Sequence, residues 1–167
     1  MSPVIKLRPW SISDLDQLVK FANNKKIADN LTDAFPYPYT REDGIDFLNR
    51  FKDFDPARAF AIEVDGIPCG SIGVFPGADI HRKSAEMGYW LAEEYWGKGI
   101  VTEAIRQIVE YGFRTFDINR IFARPFSTNL ASRRVLEKAG LKLEAKLEKS
   151  IFKNGQYLDE CIFSILR

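Results

Sequence analysis

EYWGKGIVTEA, residues 94–104, sets an aromatic pair against two glycines and then enters a run with helical spacing. Val101, Ala104, Ile105, Ile108, Gly112 and Phe116 make the stripe of an amphipathic helix several turns long. Just upstream, KSAEMGYWLA (83–92) alternates as a strand, with Glu86, Gly88 and Trp90 on one face and Met87, Tyr89 and Leu91 on the other. Gly97 and Gly99 therefore fall between the end of a strand and the first turn of a helix. That place offers unpaired backbone N–H groups and the positive end of a helix dipole. Glycine lets the backbone approach a bulky anion with no Cβ in the way, and Lys98 adds a cation, so the spacing suits a pyrophosphate. A Walker A loop is not present in this stretch. A dinucleotide fingerprint fails too, because Thr102 stands where its third glycine belongs and ARPF (123–126) supplies no acid after the next strand. The plain alternative, a tight strand-to-helix connection, stays open on this stretch alone.

Outward from the turn, the pattern predicts a mixed α/β fold in the order β-α-α-β-β-β-α-β-α-β-β, with about seven strands and four helices. VIKLRP (4–9) is a strand, followed by a helix that Ser13 is placed to cap and along which Leu15, Leu18, Val19 and Ala22 are apolar. Pro36 and Pro38 forbid a helix in ADNLTDAFPYPYT (28–40), which reads as an ordered aromatic loop before the helix REDGIDFLNRF (41–51). Hairpins are signalled at Asp65-Gly66 and Asn154-Gly155, residues that tolerate positive φ. RIFARPF (120–126) returns to strand, and NLASRRVLEKAGL (129–141) is a helix with Asn129 at its N-cap and Gly140 at its stop.

Composition excludes several classes. The 167 residues are 46% apolar and 28% charged, which fits one domain over residues 1–167. With 24 basic and 23 acidic side chains the net charge is +1, so no global field gathers nucleic acid or an anionic membrane. No stretch approaches the ~20 apolar residues of a membrane span, and MSPVIKLRPW carries no signal-peptide core. Cys69 and Cys161 have neither metal-ligand spacing nor the density of a disulfide framework. A soluble, cytoplasmic protein without a metal is expected, as a monomer or homodimer.

AEMGYWLAEEYWGKGIVTEAI (85–105), taken with NLASRRVLEKAGL, resembles the GCN5-related N-acetyltransferases, and within them the RimJ/RimL-like branch. The resemblance extends over nearly the whole chain and implies a central, twisted, mostly antiparallel sheet. It also implies acetyl-coenzyme A as cofactor. The backbone amides from Gly97 through Lys98, Gly99, Ile100 and Val101 to Thr102, with Trp96 beside them, would hold the pyrophosphate. The pantetheine arm would follow Tyr89, Trp90 and Leu91, with Asn129 and Ser132 reaching it from the second motif. Phe35, Tyr37 and Tyr39 would wall the site of an amine acceptor, either a small molecule or a peptide.

Acetyl transfer to an amine needs a deprotonated nucleophile, a polarised carbonyl and a stabilised thiolate. Glu86, in the strand that the resemblance places beside the thioester, is the candidate base, and a backbone N–H near Tyr89 to Leu91 would polarise the carbonyl. Ser132 is too weak an acid to protonate a thiolate outright and is assigned hydrogen bonding. Against these stand simpler readings. Glu86 would pair with Arg82, Lys83 or another cation on a sheet face, Ser132 would be a small residue on a helix face, Asn129 only a cap, and the loop aromatics core cover. His81, the only histidine, reads as a solvated turn residue. Three positions depart from the family pattern. Glu94 replaces an Arg or Gln and is expected to point away from phosphate, Leu136 stands where many relatives have the acid tyrosine, and Ile151 stands where ribosomal-protein enzymes carry a glutamate. A catalytically silent acyl-coenzyme A binding module is the competing function.

Overall fold

The computed structural model describes residues 2–167. The strands are β1 (Ile5–Pro9), β2 (Ala59–Val64), β3 (Ile67–Pro76), β4 (Ser84–Leu91), β5 (Arg120–Ala123), β6 (Lys142–Lys153) and β7 (Gln156–Leu166). They form one seven-stranded sheet in the order β1-β2-β3-β4-β5-β7-β6. β4 and β5 run parallel, whereas β1 with β2, β2 with β3, β5 with β7 and β6 with β7 are antiparallel. The helices are α1 (Leu15–Ala22), α2 (Lys25–Ala28), α3 (Arg41–Phe51), α4 (Ile100–Thr115) and α5 (Leu130–Lys138). The mixed fold is the expected one, with a fifth helix. That addition, α2, is a single turn capped by the Asn24 side chain, too short to show a period in sequence.

Two compact units divide the residues: one up to Gly73 with Tyr89–Ile100, the other Val74–Gly88 with Val101–Arg167. In the first, Gly44 lets α3 approach α1 so closely that a Cβ would meet the Leu15 side chain at 2.8 Å. Trp10 donates from Nε1 to Ser71 Oγ at 3.1 Å and meets Phe47 edge-on. In the second, α4 buries Ala104, Ile105 and Ile108, and at Gly112 it packs so closely that a Cβ would meet the Ile121 side chain at 3.0 Å. Among the described residues no helix is long and apolar enough to cross a membrane.

The helix start expected at Ser13 is built differently. Ser11 accepts from the Ser13 N–H while the Asp14 carboxylate accepts from the Ser11 N–H, a reciprocal cap that winds a 3-10 turn over Ile12–Asp14 before α1 begins. Asp14 also receives Arg8 through Nη1 at 2.7 Å and Nη2 at 2.9 Å, while Arg8 Nε reaches Glu63. One guanidinium thus ties β1, β2 and the entry to α1. Burial pushes the Asp14 carboxyl up, but the Arg8 and Ser11 bonds outweigh it and the net shift is downward. A carboxylate held below its unfolded value near ~3.9 stabilises the fold above that pH and loses the contribution as pH falls through the folded value. Asp14→Asn is expected to cost about 2 kcal/mol at pH 7, and the deficit should shrink below about pH 4, as read by denaturant melts at both pH values.

Candidate active site

Gly97 and Gly99 hold φ of +74° and +76°, a region where an L side chain is strained. Nothing lies within 4 Å of the Cβ that either would carry, so the turn presents bare, open backbone and leads directly into α4 at Ile100. Within the first unit the segment before it is held by main-chain acceptors. Ala92 N–H donates to Cys69 O at 2.8 Å, Trp96 Nε1 to Leu91 O at 2.7 Å, and Lys98 Nζ to Glu94 O at 3.1 Å. Lys98 also lies 5.5 Å from the Tyr95 ring centre. Glu94 is exposed and lines a cleft of about 340 Å³ with Lys20, Phe21, Asn23, Asn24, Ala92 and Glu93. Asn24 and Lys26 grip the Glu93 carboxylate at 2.8 and 2.6 Å, latching α2 to the approach of the turn.

The aromatic loop divides by burial. Tyr39 is buried, its ring 5.2 Å from Phe35, and Phe35 in turn meets Trp90 at 5.7 Å. Tyr37 is exposed. Phe35, Tyr39 and Trp90 therefore come together as a corner beneath the loop, with Tyr37 outside it. Tyr39 is fixed further by its N–H bond to Asn23 Oδ1 at 3.0 Å.

In the second unit β4 alternates as its sequence implies, with Ala85 and Met87 buried and Glu86 and Gly88 exposed. The pairing of Glu86 with Arg82 or Lys83 is not made. Lys83 binds Asp117, and Arg82 donates to Asp79 O at 2.9 Å. Asn129 caps α5, its Oδ1 accepting from Ser132 N–H at 3.2 Å. Ser132 is half-buried. Leu136, two residues before the end of α5, is fully buried, so the position that holds a tyrosine acid in many relatives here belongs to the core. His81 is exposed in a 3-10 turn.

A model of the acetyltransferase (GNAT) domain matches residues 5–142. The chain belongs to the GNAT family. The spermidine N(1)-acetyltransferase of Escherichia coli K12 is 28% identical over 163 residues, covering 95% of this chain and 86% of that one. The Bacillus subtilis relatives YdaF, YoaA and YjcK are 34–38% identical, over 54–66% of their own length. Among solved structures, spermidine N-acetyltransferase from Vibrio cholerae in complex with CoA and spermine superposes with a TM-score of 0.81 at 25% identity, over 97% of this chain and 95% of that one. RimL, the ribosomal L7/L12 acetyltransferase in complex with CoA, has a TM-score of 0.85 at 22% identity, over 97% and 93%, and shares the fold.

Sequence reasoning missed two residues on this GNAT scaffold. Arg124 and the buried Glu160 form a bidentate pair beside Glu86, at 3.2 Å from Nε and 2.7 Å from Nη2. The hint in sequence is that Glu160 shares a β7 face with Leu158 and Ile162, an acid between apolar residues that needs a cation once covered.

Burial, with a smaller push from the Asp43 charge, raises the Tyr39 phenol to about 12. A phenol held neutral above its unfolded value near ~10 stabilises the fold below that pH and loses the contribution as pH climbs toward the folded value. Tyr39→Phe keeps the ring contact to Phe35 and should therefore lose less stability than the parent between pH 9 and pH 11.5, as read by denaturant melts along that range.

Proposed function

We propose that the protein transfers the acetyl group of acetyl-coenzyme A to a primary amine within a ternary complex. The observation that carries this reading is the open glycine turn, bare at both Cβ positions, at the head of α4 in a GNAT chain. The residues fit the group. Backbone amides from Gly97 to Thr102 would hold the pyrophosphate, the extended backbone of Tyr89 to Leu91 would take the pantetheine arm, and Trp96, half-exposed with its N–H already bonded, offers a flat apolar flank. Acetyl-coenzyme A supplies the acyl group as a thioester; the new bond is N–C, the broken one C–S, and the coenzyme leaves as its thiol.

The chain supplies proton handling. A primary amine of pKa near ~10.4 is almost wholly protonated at neutral pH, so an adjacent base is worth about 10²-fold or more. Glu86, exposed and bound to neither Arg82 nor Lys83, is that base. Ser132 donates a hydrogen bond toward the leaving sulfur, and the loop of Phe35 and Tyr37 walls the acceptor, with Tyr39 packed beneath it. Spermidine acetyltransferases among the relatives support a small-molecule amine as acceptor, with peptide amines in the same chemical class. The 167 residues work as one catalytic domain, and free, buried Cys69 and Cys161 suit a reducing cytoplasm.

Leu136 favours a second reading, a silent acyl-coenzyme A binding module, because it removes the tyrosine acid. Thiol release from acetyl-coenzyme A with a panel of amines and peptides separates the two. Release supports transfer, and tight binding with no release across the panel supports the module. At ligand about 100 times its dissociation constant the fold should gain ~2.7 kcal/mol, seen as a rise in Tm. Gly99→Ala should cost about 1–2 kcal/mol by itself through its positive φ, and should also shrink the ligand-induced rise. A variant whose rise equals the parent's would reduce the glycines to a turn. Glu86→Gln should bind the coenzyme as the parent does yet turn over at least ~10²-fold more slowly at pH 7, recovering partly as pH approaches that of the free amine.

A further inference from the structure

The face of the sheet that carries Glu86 is unusually rich in arginine. The parallel register pairs Ser84 with Arg120 and Glu86 with Phe122, and burial keeps alternating past β5, so Arg120, Phe122 and Arg124 all share the Glu86 face. Two guanidinium groups thus flank the proposed base. Left to themselves, either would seek its carboxylate.

Neither does, because each is already claimed. Arg120 forks onto Glu144 at 2.9 and 2.8 Å, donates from Nη1 to Ser84 Oγ at 2.9 Å, and covers the Phe122 ring at 4.7 Å. Arg124 forks onto Glu160 through Nε and Nη2. The Glu160 side chain is 8% exposed, whereas that of Arg124 is 45% exposed. The asymmetry matters: Glu160 is a buried charge that must keep its cation, and Arg124 is a long side chain free to swing once released. Arg124 is held above the ordinary guanidinium value, first by the Glu160 hydrogen bonds and last by the field of Glu86, so the two groups sense each other without forming an ion pair. Just before β4, Lys83 serves Asp117 and Arg82 binds a carbonyl; β3 carries Cys69 as its sole titratable side chain, and β6 places Lys142 on the same face, opposite Ser164.

We infer that Glu160 is a positioning residue: by holding Arg124 in a bidentate pair it keeps the guanidinium off Glu86 and leaves that carboxylate free to take the acceptor's proton. This rests on Glu86 being the base. An Arg124–Glu86 pair would harm catalysis twice. It would occupy the oxygens the amine must reach, and an opposite charge at contact lowers a carboxylate's proton affinity by about 1–3 pKa units.

The test compares Glu160→Gln, Arg124→Gln/Glu160→Gln and Glu86→Gln with the parent, following kcat and its acidic limb from pH 5 to 9 with acetyl-coenzyme A and an accepted amine, and Tm for each. Glu160→Gln should lose about tenfold or more in kcat and move the acidic limb down by roughly a pH unit, because Arg124 swings to Glu86. Removing Arg124 as well should restore the parent kcat and limb. A folded Glu160→Gln with the parent profile overturns the inference. So does a double variant below a tenth of parent kcat, which also decides the matter should the single variant fail to fold. Parent turnover in Glu86→Gln overturns the base itself, and is thereby told apart from a failure of Glu160 alone.

Discussion

Between Leu91 and Ile100 the chain has to leave a strand, turn at two glycines and begin a helix, and main-chain carbonyls before the turn supply the acceptors that hold it there. Trp96, Lys98 and Ala92 donate to the carbonyls of Leu91, Glu94 and Cys69, and Tyr95 and Trp96 N–H groups close short bonds to Ala92 and Glu93. Gly97 and Gly99 take left-handed φ just before α4, where the helix dipole is most positive. A side chain at either glycine would add strain as well as bulk, so the same two residues satisfy the fold and would suit the proposed anion. This is why the turn reads at once as architecture and as chemistry: both demands select glycine.

The elements most legible in the sequence were those with a period or a punctuation mark. α3 spans the stretch 41–51 read as helix, and the Asp65-Gly66 and Asn154-Gly155 turns take the positive φ their chemistry allows. What stayed hidden depends on partners distant in sequence. Ser11 won the cap from Ser13 because Asp14, itself held by Arg8 from β1, completes the reciprocal bond. α2 exists because Asn24 caps it and Lys26 reaches Glu93, 67 residues on. No window along the chain contains such pairs.

The candidate site divides in the same way. The glycine turn and the alternation that exposes Glu86 are local and were readable. The fate of the loop aromatics was not, since nothing in FPYPYT says that Tyr39 goes under the loop to Phe35 while Tyr37 stays outside. Arg124 and Glu160 lie 36 residues apart and become partners only through β5 and β7 pairing.

Charge on the β4–β5–β7 face follows from that pairing. Arg120 is paired with Glu144 and Arg124 with Glu160, so neither guanidinium is engaged by Glu86. A carboxylate without a cation partner attracts a positively charged group; on the reading proposed above that group is the acceptor's ammonium, whose proton Glu86 would take. On that reading Glu86 stays free only while the buried member of the second pair keeps its grip. A charge removed from water cannot be left alone without a large penalty, so Glu160 holds Arg124 more firmly than an exposed carboxylate would. On this face burial therefore sets the chemistry indirectly: the acid that is hidden decides what the acid that is exposed is free to do.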